Sequence, residues 1–183
     1  MNVAVCAYGA GNVRSVVAAF GRLGADARVS SSPPDIAAAD LAVLPGVGSA
    51  ASAMAGLSER GLDEALRERV AVGGPTLGIC LGLQLALEES EEDGGVSGLG
   101  ILPGRAVRIA EGRVPRIGWA LVEPSGEAFY FAHSYAAETP AATASSEGIV
   151  AIAEAGSFLG VQFHPEKSGA AGARVLERCL SHA

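Results

Sequence analysis

Aromatic residues are scarce. Phe, Tyr and Trp together make up 5% of the 183 residues, with a single Trp. Hydrophobic residues still reach 49%, so a core of aliphatic layers around close-packed backbone is expected. Positive charge is also short. Thirteen Lys and Arg against 20 Asp and Glu leave a net charge of −7. A surface that tracks phosphates needs clustered positive charge, and no basic stretch stands out, so no nucleic-acid partner is expected. No apolar run approaches the roughly 20 residues of a membrane span, so no membrane partner is expected either.

Cysteine is limited to Cys6, Cys80 and Cys179. An odd, widely spaced set points to a reducing compartment. There is no C-x-x-C pair to suggest zinc or dithiol chemistry, and neither metal nor cofactor is expected. The N-terminus opens directly into a strand-like run, Asn2 to Ala7, without an apolar secretory segment, so a cytoplasmic location is expected. Histidine is confined to His133, His164 and His182. The last falls in the C-terminal tail and is expected to be disordered.

What is present is an alternation of strand and helix signals. Val3 to Ala7 is an apolar run, and Gly9-Ala-Gly11 turns the chain. Val13, Val16, Val17 and Phe20 then follow a helical spacing, with Asn12 as N-cap and Gly24 as stop. Ala25–Ser30 reads as a strand broken by Pro33-Pro34. Leu41–Leu44 is a strand stopped by Pro45-Gly46-Val47-Gly48. A helix around Leu62, Ala65, Leu66 and Val70 leads to a strand at Thr76–Ile79. Such alternation predicts a parallel sheet covered on both faces, whose ligands bind beyond the carboxyl ends of the strands. The second half changes character. Glu88 to Gly95 reads as an exposed acidic loop. Short strands follow at Ala106–Ile109, Trp119–Val122, Phe129–Phe131, Ile149–Ala153 and Leu159–Gln162, several of them antiparallel, before a helix from about Ser168 to Leu180. The expectation is one α/β domain over residues 1–183: three layers, a mostly parallel central sheet flanked by helices, and additional antiparallel strands in the second half.

Gly78-Ile79-Cys80-Leu81-Gly82 stands between a strand and a helix pattern. A nucleophile flanked by glycines in that setting is a nucleophile elbow. The turn puts the sulfur at a helix head, where free N–H groups and the helix dipole favour thiolate. Cys6 and Cys179 instead read as buried structural residues. His164 ends an apolar strand, and Glu166 two residues on can accept a hydrogen bond from the imidazole. A Cys80-His164-Glu166 set suits acyl transfer. The N–H of Leu81 is a natural oxyanion donor. A second is expected from Pro45–Gly48, where glycines let main chain approach a substrate.

Together, Pro45-Gly-Val-Gly48, Gly78-Ile-Cys-Leu-Gly-Leu-Gln84 and His164-Pro-Glu166 resemble the class I glutamine amidotransferases. Tyr8 to Asn12, Gly98 to Gly100, Val114-Pro-Arg-Ile-Gly-Trp119, Phe129 to Tyr135 and Gly160 to Ser168 extend the resemblance over almost the whole chain. They point to the branch of glutaminase subunits of imidazole glycerol phosphate synthase in histidine biosynthesis. The resemblance implies a class I glutaminase-like, flavodoxin-like fold and hydrolysis of L-glutamine through a Cys80 thioester. It implies oxyanion donors at Val47 and Leu81, and glutamine contacts at Gly48, Gln84, His133, Ser134 and Tyr135. Asn12, Trp119 and Lys167 match positions near the interface with a (β/α)₈ cyclase partner, with which a heterodimer forms. The chain departs from the pattern at Ala7, Arg116 and Ala120, where Asp, His or Gln, and Asn are usual, and Ala136 to Ile149 looks like a trimmed loop. Three other readings stand beside this one: a glutaminase of another synthase, such as one making pyridoxal phosphate; a non-catalytic binding subunit; and a cysteine hydrolase acting on a different amide.

Overall fold

The computed structural model describes residues 1–9 and 12–183, so Ala10 and Gly11 of the expected first turn lie outside the described residues. Four strands open the chain: β1 (Asn2–Cys6), β2 (Asp26–Ser30), β3 (Leu41–Leu44) and β4 (Thr76–Ile79). Short two-residue strands β5 (Glu89–Ser90) and β6 (Val96–Ser97) follow, then β7 (Arg105–Arg108), β8 (Arg116–Val122), β9 (Glu127–His133) and β10 (Tyr135–Glu138). The chain closes its sheets with β11 (Ala142–Ser146), β12 (Ile149–Ala155) and β13 (Phe158–Val161). The helices are α1 (Val13–Arg22), α2 (Pro33–Ala38), α3 (Ala50–Glu59), α4 (Leu62–Ala71), α5 (Leu81–Leu85) and α6 (Gly169–Ser181).

The central sheet has seven strands in the order β11-β12-β13-β4-β3-β1-β2. From β2 to β13 every neighbouring pair is parallel, and β12 and β11 are added antiparallel at the far side. β3 and β4 are buried along their whole length, as continuous apolar runs in covered parallel sheets should be. Alternation in β1 divides the core. Val3 and Val5 pack with Val16 and Phe20 of α1 and Leu176 of α6 on one face. Ala4 and Cys6 pack on the other with Ile36, Leu57 and Leu66 of α2, α3 and α4. The few aromatics are concentrated: Phe129 stacks on Phe163 at 4.0 Å, and Phe131 meets Phe163 edge-on at 5.8 Å.

Several expectations change. Pro33 and Pro34 do more than break a strand, since they open α2, where a missing N–H and a fixed φ suit the first turn. Glu88–Gly95 is not simply an exposed loop. Ser90 is buried, and the Glu92 and Asp93 carboxylates accept from the N–H groups of Ala50 (2.8 Å) and Ala51 (3.2 Å) at the head of α3. The loop expected at Ala136–Ile149 carries β10 and β11. His182 stands at the C-cap of α6, with its Nδ1 2.8 Å from the Arg178 carbonyl. Asn12 does stand at the N-cap of α1, but its Oδ1 accepts from the Ser15 hydroxyl at 3.0 Å rather than from backbone. No helix among the described residues is long and apolar enough to cross a membrane.

Candidate active site

The site forms because two parallel strands end side by side. β4 and β13 pair with Ile79 opposite Val161, and the N–H of Cys80 donates to the Val161 carbonyl at 2.7 Å. Cys80 and Gln162 therefore leave the sheet together, with His164 two residues on. β3 pairs on the other side of β4, Leu44 opposite Gly78, which delivers Pro45–Gly48 to the same level.

Cys80 sits at φ 53° and ψ −107° as N-cap of α5. A non-glycine residue at positive φ is strained, and the glycines around it allow the turn. A Cβ on Gly82 would lie 1.9 Å from the Leu44 carbonyl oxygen, and one on Gly78 would lie 2.9 Å from the Gly82 carbonyl carbon. Gly46 presses likewise on Leu81 and the Gly82 N–H. Loop and helix head thus touch through backbone.

His164 is buried, and its Nδ1 stands 2.9 Å from Glu166 Oε1. Burial pulls the imidazole pKa down, but hydrogen bonds and charge from Cys80 and Glu166 outweigh it and raise it from 6.5 to about 9. The second Glu166 oxygen, Oε2, is buried without a partner among the described residues. The segment is stapled to β9. The His164 N–H donates to the Tyr130 carbonyl at 2.9 Å, and the Ser168 hydroxyl donates to the His164 carbonyl at 2.7 Å while accepting from the Tyr130 N–H at 3.0 Å.

A cavity of about 220 Å³ opens over the sulfur. Val47, Gly48, Leu81 and Gln84 line one side, and His133, Ser134 and Tyr135 line the other. Gln84 Nε2 donates both to the Tyr135 carbonyl (2.8 Å) and to Gln162 Oε1 (3.1 Å), so its own carbonyl oxygen is what remains for a ligand. The Tyr135 carbonyl also stands 2.8 Å from His133 Nδ1. That contact needs the proton on Nδ1 and leaves Nε2 as an acceptor, which is buried and unpartnered. Desolvation, with Arg116 and His164 nearby, lowers the His133 pKa to about 4, despite the opposing Tyr135 bond. Two residues carried no signal in the sequence: Glu92, which lines the cavity, and Gln162, which is fully buried behind Gln84 and Cys80. Burial raises the Glu92 carboxyl pKa against the pull of the Ala50 N–H.

Of the positions expected at an interface, Asn12 lies beside His164 and Glu166. Trp119 meets the Tyr130 ring edge-on at 6.2 Å, and Lys167 Nζ lies 5.8 Å from the same ring. Arg116, a departure from the family pattern, stacks 4.2 Å from the Phe131 centroid and binds Ser146 and Glu147. Cys6 and Cys179 are free and buried, and burial pushes both thiols up to about 12. Among the described residues, no cluster of three or more His, Cys, Asp or Glu is arranged to hold a metal ion.

The family model described as glutamine amidotransferase class-I matches residues 4–183, and this is the class of protein the chain represents. A solved structure described as glutamine amidotransferase has the same fold, with a TM-score of 0.85 over 98% of this chain and 97% of that one at 22% identity. The imidazole glycerol phosphate synthase subunit HisH of Methanothermobacter thermautotrophicus is 47% identical, over 95% of each chain. The subunit of the same name from Symbiobacterium thermophilum is 43% identical, over 95% of this chain and 91% of that one. Within the class-I amidotransferases, the chain belongs to the HisH family.

Proposed function

We propose that the chain is the glutaminase of an imidazole glycerol phosphate synthase. It hydrolyses L-glutamine on Cys80 and passes the ammonia to a (β/α)₈ cyclase subunit, which forms imidazole glycerol phosphate and aminoimidazole carboxamide ribotide. The observation that carries the chemistry is that adjacent strand ends bring Cys80 together with the buried His164–Glu166 pair, whose Nδ1 and Oε1 stand 2.9 Å apart.

Against desolvation by burial, Cys80 and Glu166 raise the His164 pKa to about 9 and so favour its imidazolium form. A cation beside the sulfur favours thiolate. The thiolate attacks the side-chain carboxamide carbon, and the N–H groups of Val47 and Leu81 receive the oxyanion. Losing one such donor costs about 10²–10³ in rate. The C–N bond breaks as His164 gives its proton to the departing ammonia, leaving a thioester. The neutral imidazole then takes a proton from water, hydroxide attacks the thioester, and glutamate leaves as thiolate and imidazolium return. Glu166 accepts from Nδ1–H throughout and fixes the tautomer.

The wall supports an amino-acid substrate. Gln84 offers a carbonyl oxygen, His133 an imidazole lone pair and Glu92 a carboxylate. These are acceptors suited to an α-ammonium group, with Gly48, Ser134 and Tyr135 left for the α-carboxylate and main chain. Asparagine, one methylene shorter, would hold the same head group with its carboxamide short of the sulfur. On the outer face of β8, Ile117, Trp119 and Leu121 are 64%, 58% and 60% exposed. This apolar stripe beside the cavity supports a partner there, with Asn12, Trp119 and Lys167 at the contact.

The test is ammonia release from glutamine with and without the purified cyclase. Weak turnover alone, strong stimulation by the cyclase, no use of asparagine and no turnover by Cys80→Ala are expected. Stimulation only by another synthase would move the chain to a different pathway, and a fully active Cys80→Ala would remove the nucleophile.

A further inference from the structure

We infer that Gln162 holds the Cys80 sulfur in its reactive position through a hydrogen bond from its side-chain amide, an assignment that rests on Cys80 being the nucleophile. Gln162 Nε2 lies 3.5 Å from Sγ, and the residue has no exposed surface. A primary amide taken wholly out of water is costly unless its groups are paired. An apolar side chain would fill the same space without that cost.

The direction of the amide is fixed by the chain of bonds behind it. The Tyr135 carbonyl can only accept, so Gln84 must present its NH₂ there. The same NH₂ reaches Gln162 at 3.1 Å, so Gln162 must present its oxygen to Gln84. Its NH₂ is thereby turned to the sulfur. The order runs from the Tyr135 carbonyl at the cavity wall to Gln84, to Gln162, to Cys80, the last two links buried. The sulfur has a competing neighbour in the Ala132 carbonyl oxygen at 3.8 Å, which accepts from a thiol and repels a thiolate. Gln162 is the neutral donor that opposes it, and His164 is the charged one. Because Gln84 also lines the cavity, the wall that meets the substrate and the donor that holds the nucleophile are one hydrogen-bonded unit.

The experiment is the pH dependence of Cys80 alkylation by iodoacetamide in the full chain, followed by mass spectrometry, with Cys6 and Cys179 as buried internal controls. In Gln162→Met the midpoint of the alkylation profile is expected to rise by about one pH unit. Below it, alkylation slows about tenfold, the effect of one charge-assisted hydrogen bond. The kcat for glutamine falls with KM little changed. Gln84→Met, which leaves the Gln162 amide in place but frees it to turn, is expected to shift the profile in the same direction by less. A folded Gln162→Met with an unmoved midpoint overturns the inference. If that variant does not fold, Gln84→Met decides alone, a moved midpoint supporting it and an unmoved one overturning it. Ammonia release by Cys80→Ala would instead overturn the nucleophile itself, so the two failures are separable.

Discussion

Adding one methyl group at Gly82 should cripple the enzyme although Gly82 donates and accepts nothing through a side chain. The added Cβ would stand 1.9 Å from the Leu44 carbonyl oxygen, a backbone atom of β3 that has no rotamer to escape into. Ordinary contact lies near 3.5 Å, so α5 must move from β3 by about 1.5 Å. The cost of such overpacking is about 1–3 kcal/mol, and at about 2–4 °C per kcal/mol for a chain of this size the melting temperature falls by several degrees. Activity should suffer more. The displaced helix carries Leu81 and the Cys80 turn, and a misplacement of about 1 Å can cost roughly 100-fold in rate. The assay is ammonia release with the cyclase at a temperature where the variant is still folded, beside a thermal melt. Gly21→Ala is the control, since a Cβ there meets nothing within 4 Å on the exposed side of α1. It should stabilise by about 0.5–1 kcal/mol through helix propensity, with turnover unchanged. Wild-type turnover and melting in Gly82→Ala would refute the close-packing argument.

Other perturbations have equally definite outcomes. Arg69, buried in α4, donates to the carbonyls of Ile36, Ala37, Asp40 and Pro75. Arg69→Met should therefore cost about 3 kcal/mol or more by denaturant unfolding, and Arg69→Lys should recover only part, lacking the planar fork. The two site histidines should give opposite pH dependences of stability. His133, depressed from 6.5 to about 4, contributes stability that is lost as pH falls through that window. His164, raised from 6.5 to about 9, contributes stability that is lost as pH rises through its own. Unfolding free energies of His133→Leu and His164→Leu, subtracted from wild type across pH, check both signs, and flat difference curves would contradict them. Cys80→Gly should melt above Cys80→Ala, because only glycine takes φ 53° without strain. An alanine variant at least as stable would remove that strain from the account.

The inner parallel strands β1, β3 and β4 were legible because they are apolar on both faces and are punctuated by Gly and Pro. Strands appear at Asn2–Cys6, Leu41–Leu44 and Thr76–Ile79, where expected to within a residue. α3 was not legible. Its sequence AASAMAGLSE is small and neutral in pattern, and its start is set by Ser49 and by carboxylates more than 40 positions away in sequence. β10 and β11 were hidden for the same reason, alanine-rich and without alternation. β8 begins three residues earlier than the apolar pattern suggested. Its alternation runs the unusual way, with Ile117, Trp119 and Leu121 turned outward, as the partner surface proposed above would require.

The placement of Cys80, His164 and Glu166 at strand ends was legible because each sits beside a residue that marks backbone geometry: glycines for the turn, proline for the strand end. Gln162 and Glu92 carry no such mark. Their positions follow from register and from a turn folding onto a distant helix head, and neither is local. The strained Cys80 backbone shows why that non-local framework matters. A residue at φ 53° would relax if the turn were free, and such strain costs on the order of 1–3 kcal/mol. It persists because both sides of the turn are held. The Cys80 N–H is tied to β13 at 2.7 Å, and Gly82 lies against β3 too closely to admit a methyl group. The parallel sheet, through β13 on one side of the turn and β3 on the other, is therefore what keeps Cys80 in a conformation its own residue type disfavours.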